Sequence, residues 1–335
     1  MRFAVLGAGA IGAYVGAALA RGGSDVVLIA RGPHLEAMQR DGVTVLSPRG
    51  DFHADVEATD DLAAVSDADV VFIGLKAYSV PTLAPRLGEL LHGDTAVIAG
   101  QNGMPWWYFQ SYGGELDGLR LESVDPGGVI ADSIAPDRVI GCVIYCSTEI
   151  ERPGVIRHIE GTRFAIGEPG GDESDRCLAI SRAFVAGGLK CPVETQIRDQ
   201  IWLKLVGNVA FNPVTVLTGA TLGQLGDVDE MVRVLHATLA ECAAVASRLG
   251  VELPVSIERR LQAGLAVGEH KTSMLQDLEA GKPLETACLT GALLELADLL
   301  SVPVPHTRTI HACVELLERV RARERSAATA GATTA

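Results

Sequence analysis

The fold of the first half of this chain is decided by the stretch Arg2-Phe-Ala-Val-Leu-Gly-Ala-Gly-Ala-Ile-Gly12. A short apolar run comes first, as in a buried strand, and an alanine-rich run to about Ala20 follows it, as in a helix. Between them the first glycine permits a tight turn, the second lets a pyrophosphate approach the backbone, and the third lets helix pack on strand. The stretch therefore predicts a doubly wound α/β domain that binds a dinucleotide at the helix N-terminus. The residues expected to line this site are Gly7, Ala8, Gly9, Ala10, Ile11 and Gly12.

Arg31 indicates which dinucleotide is bound. It follows the predicted strand from Asp25 to Ala30, about twenty residues after the glycines, where an NAD enzyme would carry a carboxylate for the ribose hydroxyls. A guanidinium at this position would pair with a 2′-phosphate in a charge-assisted fork. We therefore predict NADP(H) as the cofactor, with a solvated surface arginine as the alternative.

Two further strand ends carry polar side chains. Lys76 follows the apolar run 69–75, and Asn102 lies in the turn after the strand Ala96 to Ala99. Ligands of open α/β sheets bind at the carboxyl ends of the strands. We predict that Lys76 faces cofactor or substrate and that Asn102 bonds the nicotinamide ribose or the substrate. The alternatives are an exposed lysine and an ordinary Asn-Gly turn.

The remainder of the first domain contains an aromatic cluster and a predicted hairpin. Trp106-Trp-Tyr-Phe109 is interpreted as the mouth of a substrate site, a subunit contact of a homodimer, or core packing. Antiparallel strands are predicted at 138–146, 155–160 and 163–166, with turns at Pro153-Gly154 and Glu160-Gly161, and a last strand at 190–194.

Composition limits the classes of partner. The chain has 335 residues, enough for two domains, and a net charge of −14, which argues against binding the phosphate backbone of nucleic acids. Seven cysteines without Cys-x-x-Cys spacing give neither a zinc site nor a disulfide framework, so we expect a reduced, cytoplasmic protein. The uncharged run from Phe3 to Ala20 contains four glycines and does not predict a membrane helix.

The second half of the chain has a helical pattern, with helices predicted at 198–210, 229–249, 255–266, 284–300 and from Pro305 to about Arg323. In the first of these, Lys204, Asn208 and Asn212 recur at helical spacing and form a polar stripe on an apolar helix. Burying a cation and two amides costs a few kcal/mol unless each finds a partner, so the stripe predicts a polar ligand opposite it. The alternative for Lys204 is a side chain that extends from an apolar helix into water.

Two more polar residues complete the candidate site. Ser273 lies in a polar turn, and Glu285 opens a predicted helix, where a carboxylate is also explained by the helix dipole. The predicted domains are a dinucleotide-binding domain over 1–196, a helical substrate and catalytic domain over 197–325, and a disordered tail over 326–335.

In this order the motifs resemble those of the 2-dehydropantoate 2-reductases, also called ketopantoate reductases. The resemblance covers nearly the whole chain, and its most specific part is the lysine-asparagine stripe combined with Ser-Met-Leu-Gln-Asp. The matching motifs are Gly7-x-Gly-x-x-Gly12, Leu75-Lys76, Gln101-Asn-Gly103, Trp202-x-Lys-Leu205 with Asn208 and Asn212-Pro213, Ser273-Met-Leu-Gln-Asp277, and Glu285.

The resemblance implies an α/β Rossmann-type domain followed by an all-α domain, NADPH as cofactor, and reduction of a small-molecule 2-oxo acid to a 2-hydroxy acid. Lys204 would match the catalytic lysine, which supplies the proton, and Glu285 the substrate-orienting carboxylate. Arg31 would match the position at the adenosine 2′-phosphate, and Lys76 the cofactor-substrate region. The polar substrate and cofactor contacts would be Ser273, Asn208, Asn212 and Asn102.

Two departures affect the substrate. The chain reads Thr286-Ala-Cys-Leu-Thr-Gly291 where the family usually has an isoleucine, an aspartate and later an asparagine, and the four consecutive aromatic residues are not typical. Ketopantoate is therefore the first candidate substrate, and a bulkier or differently polar keto acid the second. Two other functions stay open, a 3-hydroxy-acid dehydrogenase and an NADP(H)-responsive binding protein without turnover.

Overall fold

The computed structural model describes the backbone of residues 1–333 and the side chains of residues 1–325. The chain divides into two compact units, residues 1–200 and 201–335. The strands are β1 Arg2–Leu6, β2 Asp25–Ile29, β3 Val43–Leu46, β4 Phe52–Ala54, β5 Glu57–Thr59, β6 Val70–Ile73, β7 Ala96–Ala99, β8 Val139–Arg152 and β9 Val155–Gly167. The helices are α1 Ala10–Arg21, α2 Gly32–Asp41, α3 Val80–Leu90, α4 Val129–Ser133, α5 Asp175–Ala186, α6 Ile197–Thr218, α7 Asp229–Arg248, α8 Ile257–Leu265, α9 Ser273–Glu279, α10 Ala292–Leu299 and α11 Pro305–Thr333.

The first unit is built on one mixed sheet with the strand order β4-β3-β9-β8-β7-β6-β1-β2-β5. The strands from β8 through β7, β6, β1 and β2 to β5 pair in parallel, whereas β8 with β9 and β3 with β4 pair antiparallel. The chain leaves β1 toward β2 on one side and later reaches β6 on the other, which creates the switch point where α/β sheets bind ligands. The predicted Rossmann-type fold class is confirmed.

The parallel strands form because their residues are apolar on both faces. Phe3, Ala4 and Val5 of β1 have no exposed surface, and all four residues of β6 are buried. Helices cover both faces of such a sheet, so its strands are continuous apolar runs rather than alternating ones. The burial fixes β1 inside the sheet, between β6 and β2, with the glycine turn at its carboxyl end.

The predicted hairpin differs from the structure in two places. The turn at Pro153-Gly154 is present, but Glu160-Gly161 lies inside β9, where the pairing with β8 shifts register. Gly161 has φ +72°, and a Cβ on it would lie 2.2 Å from the Tyr145 carbonyl oxygen, so the glycine permits a bulge rather than a reversal. The segment 190–194 makes only two isolated bridges with β9 instead of a strand, since Pro192 offers no N–H to a ladder.

The second unit is helical, as predicted, with different helix ends. Helix α6 continues through Pro213 to Thr218, because the residues from Phe211 to Val216 are buried and their packing outweighs one lost hydrogen bond. Helix α10 begins only after a π-helical turn over Ala287–Gly291, in which the Gly291 N–H bonds the Thr286 carbonyl. Helix α11 includes residues 326–333 of the predicted disordered tail, whose alanines favour a helix, and residues 334–335 lie outside the described part of the chain.

One described helix, α6, is long and apolar enough to cross a membrane by length and composition alone. Its apolar window is 72% buried inside the protein, as in the core helix of a globular domain. The uncharged run from Phe3 to Ala20 is divided into β1, the glycine turn and α1, which has only 12 residues.

Candidate functional site

The glycine turn has the geometry that its spacing predicts. Gly7 has φ +93°, and a Cβ on Gly12 would lie 2.3 Å from the Gly7 carbonyl oxygen, so both positions require glycine. A Cβ on Gly9 would meet nothing within 4 Å, which leaves open space at the N-terminus of α1. No side chain caps this end and no acidic residue lies in its first turn. Its N–H groups are therefore suited to an anion such as pyrophosphate.

Gly74 supports this turn and was not identified from the sequence. Its N–H donates to the Leu6 carbonyl at 2.9 Å, and a Cβ on it would lie 2.8 Å from the Gly7 oxygen and 3.3 Å from Gly12 Cα. The end of β6 thus packs directly against the turn that follows β1. A glycine immediately after an apolar strand is the only sequence signal for this contact.

Arg31 lies at the predicted edge of the sheet. It precedes α2 as its N-terminal flanking residue, it is exposed, and the first turn of α2 contains no acidic residue. Within residues 1–325, Arg31 makes no ion pair and no side-chain hydrogen bond. Its guanidinium is therefore available to an anionic ligand.

His34, in the first turn of α2, is a second residue that the sequence did not reveal. Its Nδ1 accepts a hydrogen bond from the Gly154 N–H at 3.1 Å, so the ring proton of the neutral form is on Nε2. Burial lowers the pKa of His34, an effect that the backbone of Ala8 opposes. A neutral imidazole therefore lies beside the glycine turn.

Lys76 and Asn102 are placed at the carboxyl ends of neighbouring strands. Both are half-buried, Lys76 in the segment after β6 and Asn102 in the segment after β7. Gln101 links these segments, because its Nε2 donates to the Ile73 carbonyl at 3.2 Å. The two predicted ligand contacts therefore belong to one edge of the sheet, the edge that also carries the glycine turn.

The aromatic cluster from Trp106 to Phe109 is part of the core of the first unit. Its four side chains are between 1% and 7% exposed. Arg198 holds the segment, since its guanidinium donates to the carbonyls of Tyr108 at 2.8 Å and Gln110 at 2.8 Å. Gly141 of β8 admits the Trp107 indole, because a Cβ there would lie 2.6 Å from the ring. Of the three interpretations, core packing is the correct one.

The polar stripe on α6 is only partly open to solvent. Lys204 and Asn208 are half-buried, whereas Asn212 is 6% exposed. The Thr215 hydroxyl donates to the Asn212 carbonyl at 2.8 Å and lies 2.6 Å from the Thr272 hydroxyl. The inner end of the stripe is thus fixed to the segment that begins α9.

Ser273 is the first residue of α9 and is exposed. Thr272 caps this helix, with its hydroxyl oxygen accepting the Leu275 N–H at 3.2 Å. Since the same hydroxyl contacts Thr215 of α6, the structure brings Ser273 and Asn212 into one region of the second unit.

Glu285 is 6% exposed and precedes the π-helical turn. The chain on both sides of it is held by Glu318 of α11, which accepts the Leu284 N–H at 3.3 Å and the Thr286 hydroxyl at 2.7 Å. Thr290 Oγ1 lies 2.8 Å from His311 Nδ1 on the same helix. The two threonines that depart from the family pattern therefore have partners on α11, which nothing in the local sequence indicates.

Buried thiols and metal ligands do not add to the candidate site. Burial raises the pKa of Cys177 to about 11 and raises the pKa of Cys191 and Cys242 further, so these thiols stay protonated. In the part of the chain with described side chains, no group of three or more His, Cys, Asp or Glu residues could hold a metal ion.

Comparisons with known proteins identify the family of the chain. The family model "Ketopantoate reductase PanE/ApbA" matches residues 3–106, and "Ketopantoate reductase PanE/ApbA C terminal" matches residues 196–318. The 2-dehydropantoate 2-reductase of Mesorhizobium japonicum is 44% identical over 322 residues, which cover 96% of this chain and 98% of that protein. The one from Halobacterium salinarum is 30% identical over 95% of this chain and 99% of its own length.

Solved structures show the same architecture. A PanE/ApbA family ketopantoate reductase from Ralstonia eutropha superposes with a TM-score of 0.83 at 28% identity, over 96% of this chain and 99% of that one. The 2-dehydropantoate 2-reductase from Geobacter metallireducens gives a TM-score of 0.82 at 25% identity, over 95% of this chain and all of that one.

Proposed function

This chain belongs to the ketopantoate reductase family and is an oxidoreductase of the 2-dehydropantoate 2-reductase type, and we propose that it uses NADPH, with Lys204 as the proton donor. Ketopantoate is the first candidate for the 2-oxo acid that it reduces. The observation that carries the proposal is the half-buried pair Lys204 and Asn208 on a helix whose apolar window is 72% buried. At helical spacing the two side chains share one face, where an ammonium and an amide can serve a polar ligand.

The residues of the glycine turn fit a dinucleotide. Open space at Gly9 and an uncapped α1 would receive the pyrophosphate, as the steric requirement for glycine at positions 7 and 12 suggests. Arg31 supports the choice of NADPH, because an exposed guanidinium next to a first turn of α2 without an acidic residue is suited to a 2′-phosphate. Lys76 and Asn102 would contact the cofactor or the substrate from the ends of β6 and β7.

The chemistry assigned to the chain is proton transfer and stabilisation of charge. When bound, NADPH supplies the hydride that reduces the carbonyl carbon. Negative charge develops on the carbonyl oxygen, and the Lys204 ammonium both stabilises that charge and gives the oxygen its proton. Asn208, one helical turn on, holds either the ammonium or the substrate oxygen in place.

The remaining polar residues would orient the substrate. Ser273 and Asn212 lie in one region of the second unit and offer a hydroxyl and an amide to the substrate. Glu285 would accept a hydrogen bond from a substrate hydroxyl, as ketopantoate provides. These assignments make the protein an enzyme of small molecules, and we propose that it works in the cytoplasm. Light scattering of the purified chain tests the predicted homodimer.

Lys204→Ala is the test of this mechanism. We expect turnover with 2-oxo acids to fall by about 100- to 10,000-fold while NADPH binds nearly as before, because the general acid is lost and the cofactor contacts are not. Steady-state NADPH oxidation measures turnover, and a fluorescence titration measures cofactor binding.

The matched control is Lys271→Ala, which removes a lysine from the same unit that pairs with Glu279 at the surface. It should leave turnover unchanged. If Lys204→Ala turns over as fast as the parent protein, Lys204 is not the proton donor. A substrate panel in which 3-hydroxy acids are oxidised and no 2-oxo acid is reduced would overturn the choice of reaction.

A further inference from the structure

Gly207 lies within α6 between two residues of the polar stripe, Lys204 and Asn208. The side chain of Arg260 packs against it. A Cβ on Gly207 would lie 2.2 Å from Arg260 Nη2, 2.9 Å from Cζ and 3.1 Å from Nε. The guanidinium of Arg260 therefore lies against the bare backbone of α6. An interior glycine costs a helix about 1 kcal/mol relative to alanine, so its presence here needs a reason. The reason we infer is that only glycine leaves room for the Arg260 guanidinium at this position.

The position of Arg260 is fixed by a second contact between α6 and α8. A Cβ on Gly264 of α8 would lie 2.2 Å from Phe211 Cζ of α6. Gly207 and Phe211 are four residues apart on α6, as Arg260 and Gly264 are on α8, so each pair lies on one face of its helix. Helices α6 and α8 thus interlock at two points, each of which uses a glycine to admit a large side chain.

This contact places the Arg260 guanidinium against the turn of α6 that carries the predicted proton donor. Gly207 is three residues after Lys204 and directly before Asn208, and residues three apart on a helix are surface neighbours. Arg260 itself is half-buried, so its charge is screened less than that of a fully exposed side chain and is not fully buried in the core. A guanidinium presents five N–H donors in a planar fork, and a carboxylate takes two of them at once.

In a 2-oxo acid the carboxylate is bonded directly to the reacting carbonyl carbon, so a cation for it must lie beside the proton donor. Among the substrate contacts proposed in the second unit, Ser273, Asn208 and Asn212 are neutral, and the charge of Lys204 is used at the carbonyl oxygen. We propose that Arg260 binds the substrate carboxylate in a bidentate pair and thereby sets the preference for 2-oxo acids over neutral ketones. This inference rests on the proposed function and adds a residue that selects the substrate class.

The test is Arg260→Gln, assayed with a 2-oxo acid and with the methyl ester of the same acid. For the acid, kcat/KM should fall by about 100-fold, mainly through a higher KM, because the bidentate charge pair is lost. For the ester, kcat/KM should stay within about threefold, since the ester never had that pair. Thermal unfolding monitored by circular dichroism accompanies each variant.

Two further variants separate the charge from the fold. Gly207→Ala keeps every charge and favours the helix, but its methyl group displaces the guanidinium, so it should also reduce the preference for the acid. Arg259→Gln removes the neighbouring exposed arginine of α8 and should leave the ratio of acid to ester unchanged.

The outcomes are distinct. If the parent protein reduces 2-oxo acids and Arg260→Gln keeps the ratio of acid to ester, this inference is wrong while the proposed function stands. An equal loss for acid and ester would also overturn it, since Arg260 would then act through the packing of α8. If the parent protein reduces no 2-oxo acid, the proposed function fails first.

Discussion

At the scale of single residues, we assign the choice of cofactor to one side chain at the carboxyl edge of the sheet. The glycine turn contacts any dinucleotide through backbone groups and cannot distinguish NADPH from NADH. The distinction depends on the 2′-phosphate, and Arg31 is the exposed cation that follows β2. We therefore propose that one side chain on a general scaffold sets the choice between NADPH and NADH.

We expect Arg31→Asp to weaken NADPH binding by about 100-fold and to leave NADH binding nearly unchanged, because a carboxylate repels a phosphate and can hold ribose hydroxyls. Dissociation constants of both cofactors measured by fluorescence titration provide the check. Arg40→Asp is the control, since Arg40 lies at the far end of α2, where it pairs with Asp41 at the surface. Equal losses for both cofactors would mean that Arg31 does not contact the phosphate.

At the scale of elements, α11 holds the segment that carries Glu285. Glu318 accepts hydrogen bonds from Leu284 and Thr286, the residues on either side of Glu285. Hydrogen bonds to a charged group contribute about 1.5–3 kcal/mol each. A helix distant in sequence therefore positions the carboxylate that we assign to the substrate, and Glu318 is a positioning residue.

Loosening this segment should affect substrate binding more than cofactor binding. For Thr286→Val, which removes the hydroxyl at nearly constant shape, we expect KM for a hydroxylated 2-oxo acid to rise about tenfold while the NADPH dissociation constant stays the same. Thr286→Ser keeps the hydroxyl and should restore KM. Glu315→Ala removes the neighbouring carboxylate of α11, which pairs with Arg319, and serves as the control. Unchanged KM in Thr286→Val would limit the Glu318 contact to stability.

At the scale of the whole molecule, resistance to acid depends on carboxylates that join distant segments. Glu241 of α7 accepts the N–H groups of His306 at 2.9 Å and Thr307 at 2.8 Å, and thereby caps α11. Burial raises the pKa of Glu241, but the hydrogen bonds from the backbone and side chains of Thr307 and His306 together outweigh it and hold the pKa below its ordinary value. The ionised form is therefore the one that stabilises the fold.

The sign of the pH dependence follows from this shift. A carboxyl group whose pKa is lower in the folded state stabilises it above the unfolded value, about 4.3 for glutamate, and loses that contribution as the pH falls through the folded value. We expect Glu241→Gln to lower the free energy of unfolding by about 2 kcal/mol at pH 7. The difference from the parent protein should shrink below about pH 4.3.

Urea denaturation at a series of pH values measures this difference. Glu230→Gln is the matched control, because Glu230 pairs with the nearby Arg233 at the surface of the same helix. A constant difference between Glu241→Gln and the parent protein from pH 7 to pH 3 would show that the charge of Glu241 does not contribute.

The sequence by itself determined the features that depend on neighbouring residues. The spacing of Gly7, Gly9 and Gly12 specified the turn, and the 3.6-residue period placed Lys204 and Asn208 on one face of α6. Both signals are local, since a turn needs particular backbone angles and a helix needs a particular period. The order of strands and helices followed from them.

Only the tertiary structure decided which distant residues meet. Three contacts join separate elements. Gly74 packs against the glycine turn, Arg260 packs against Gly207, and Glu318 accepts hydrogen bonds from the residues on either side of Glu285. Such contacts arise when apolar faces pack, and a single sequence records neither the register nor the partner. The same limit left the aromatic cluster with three interpretations until packing placed it in the core. The sequence specifies the reactive side chains and their local spacing, whereas the tertiary fold determines which distant residues hold them in position.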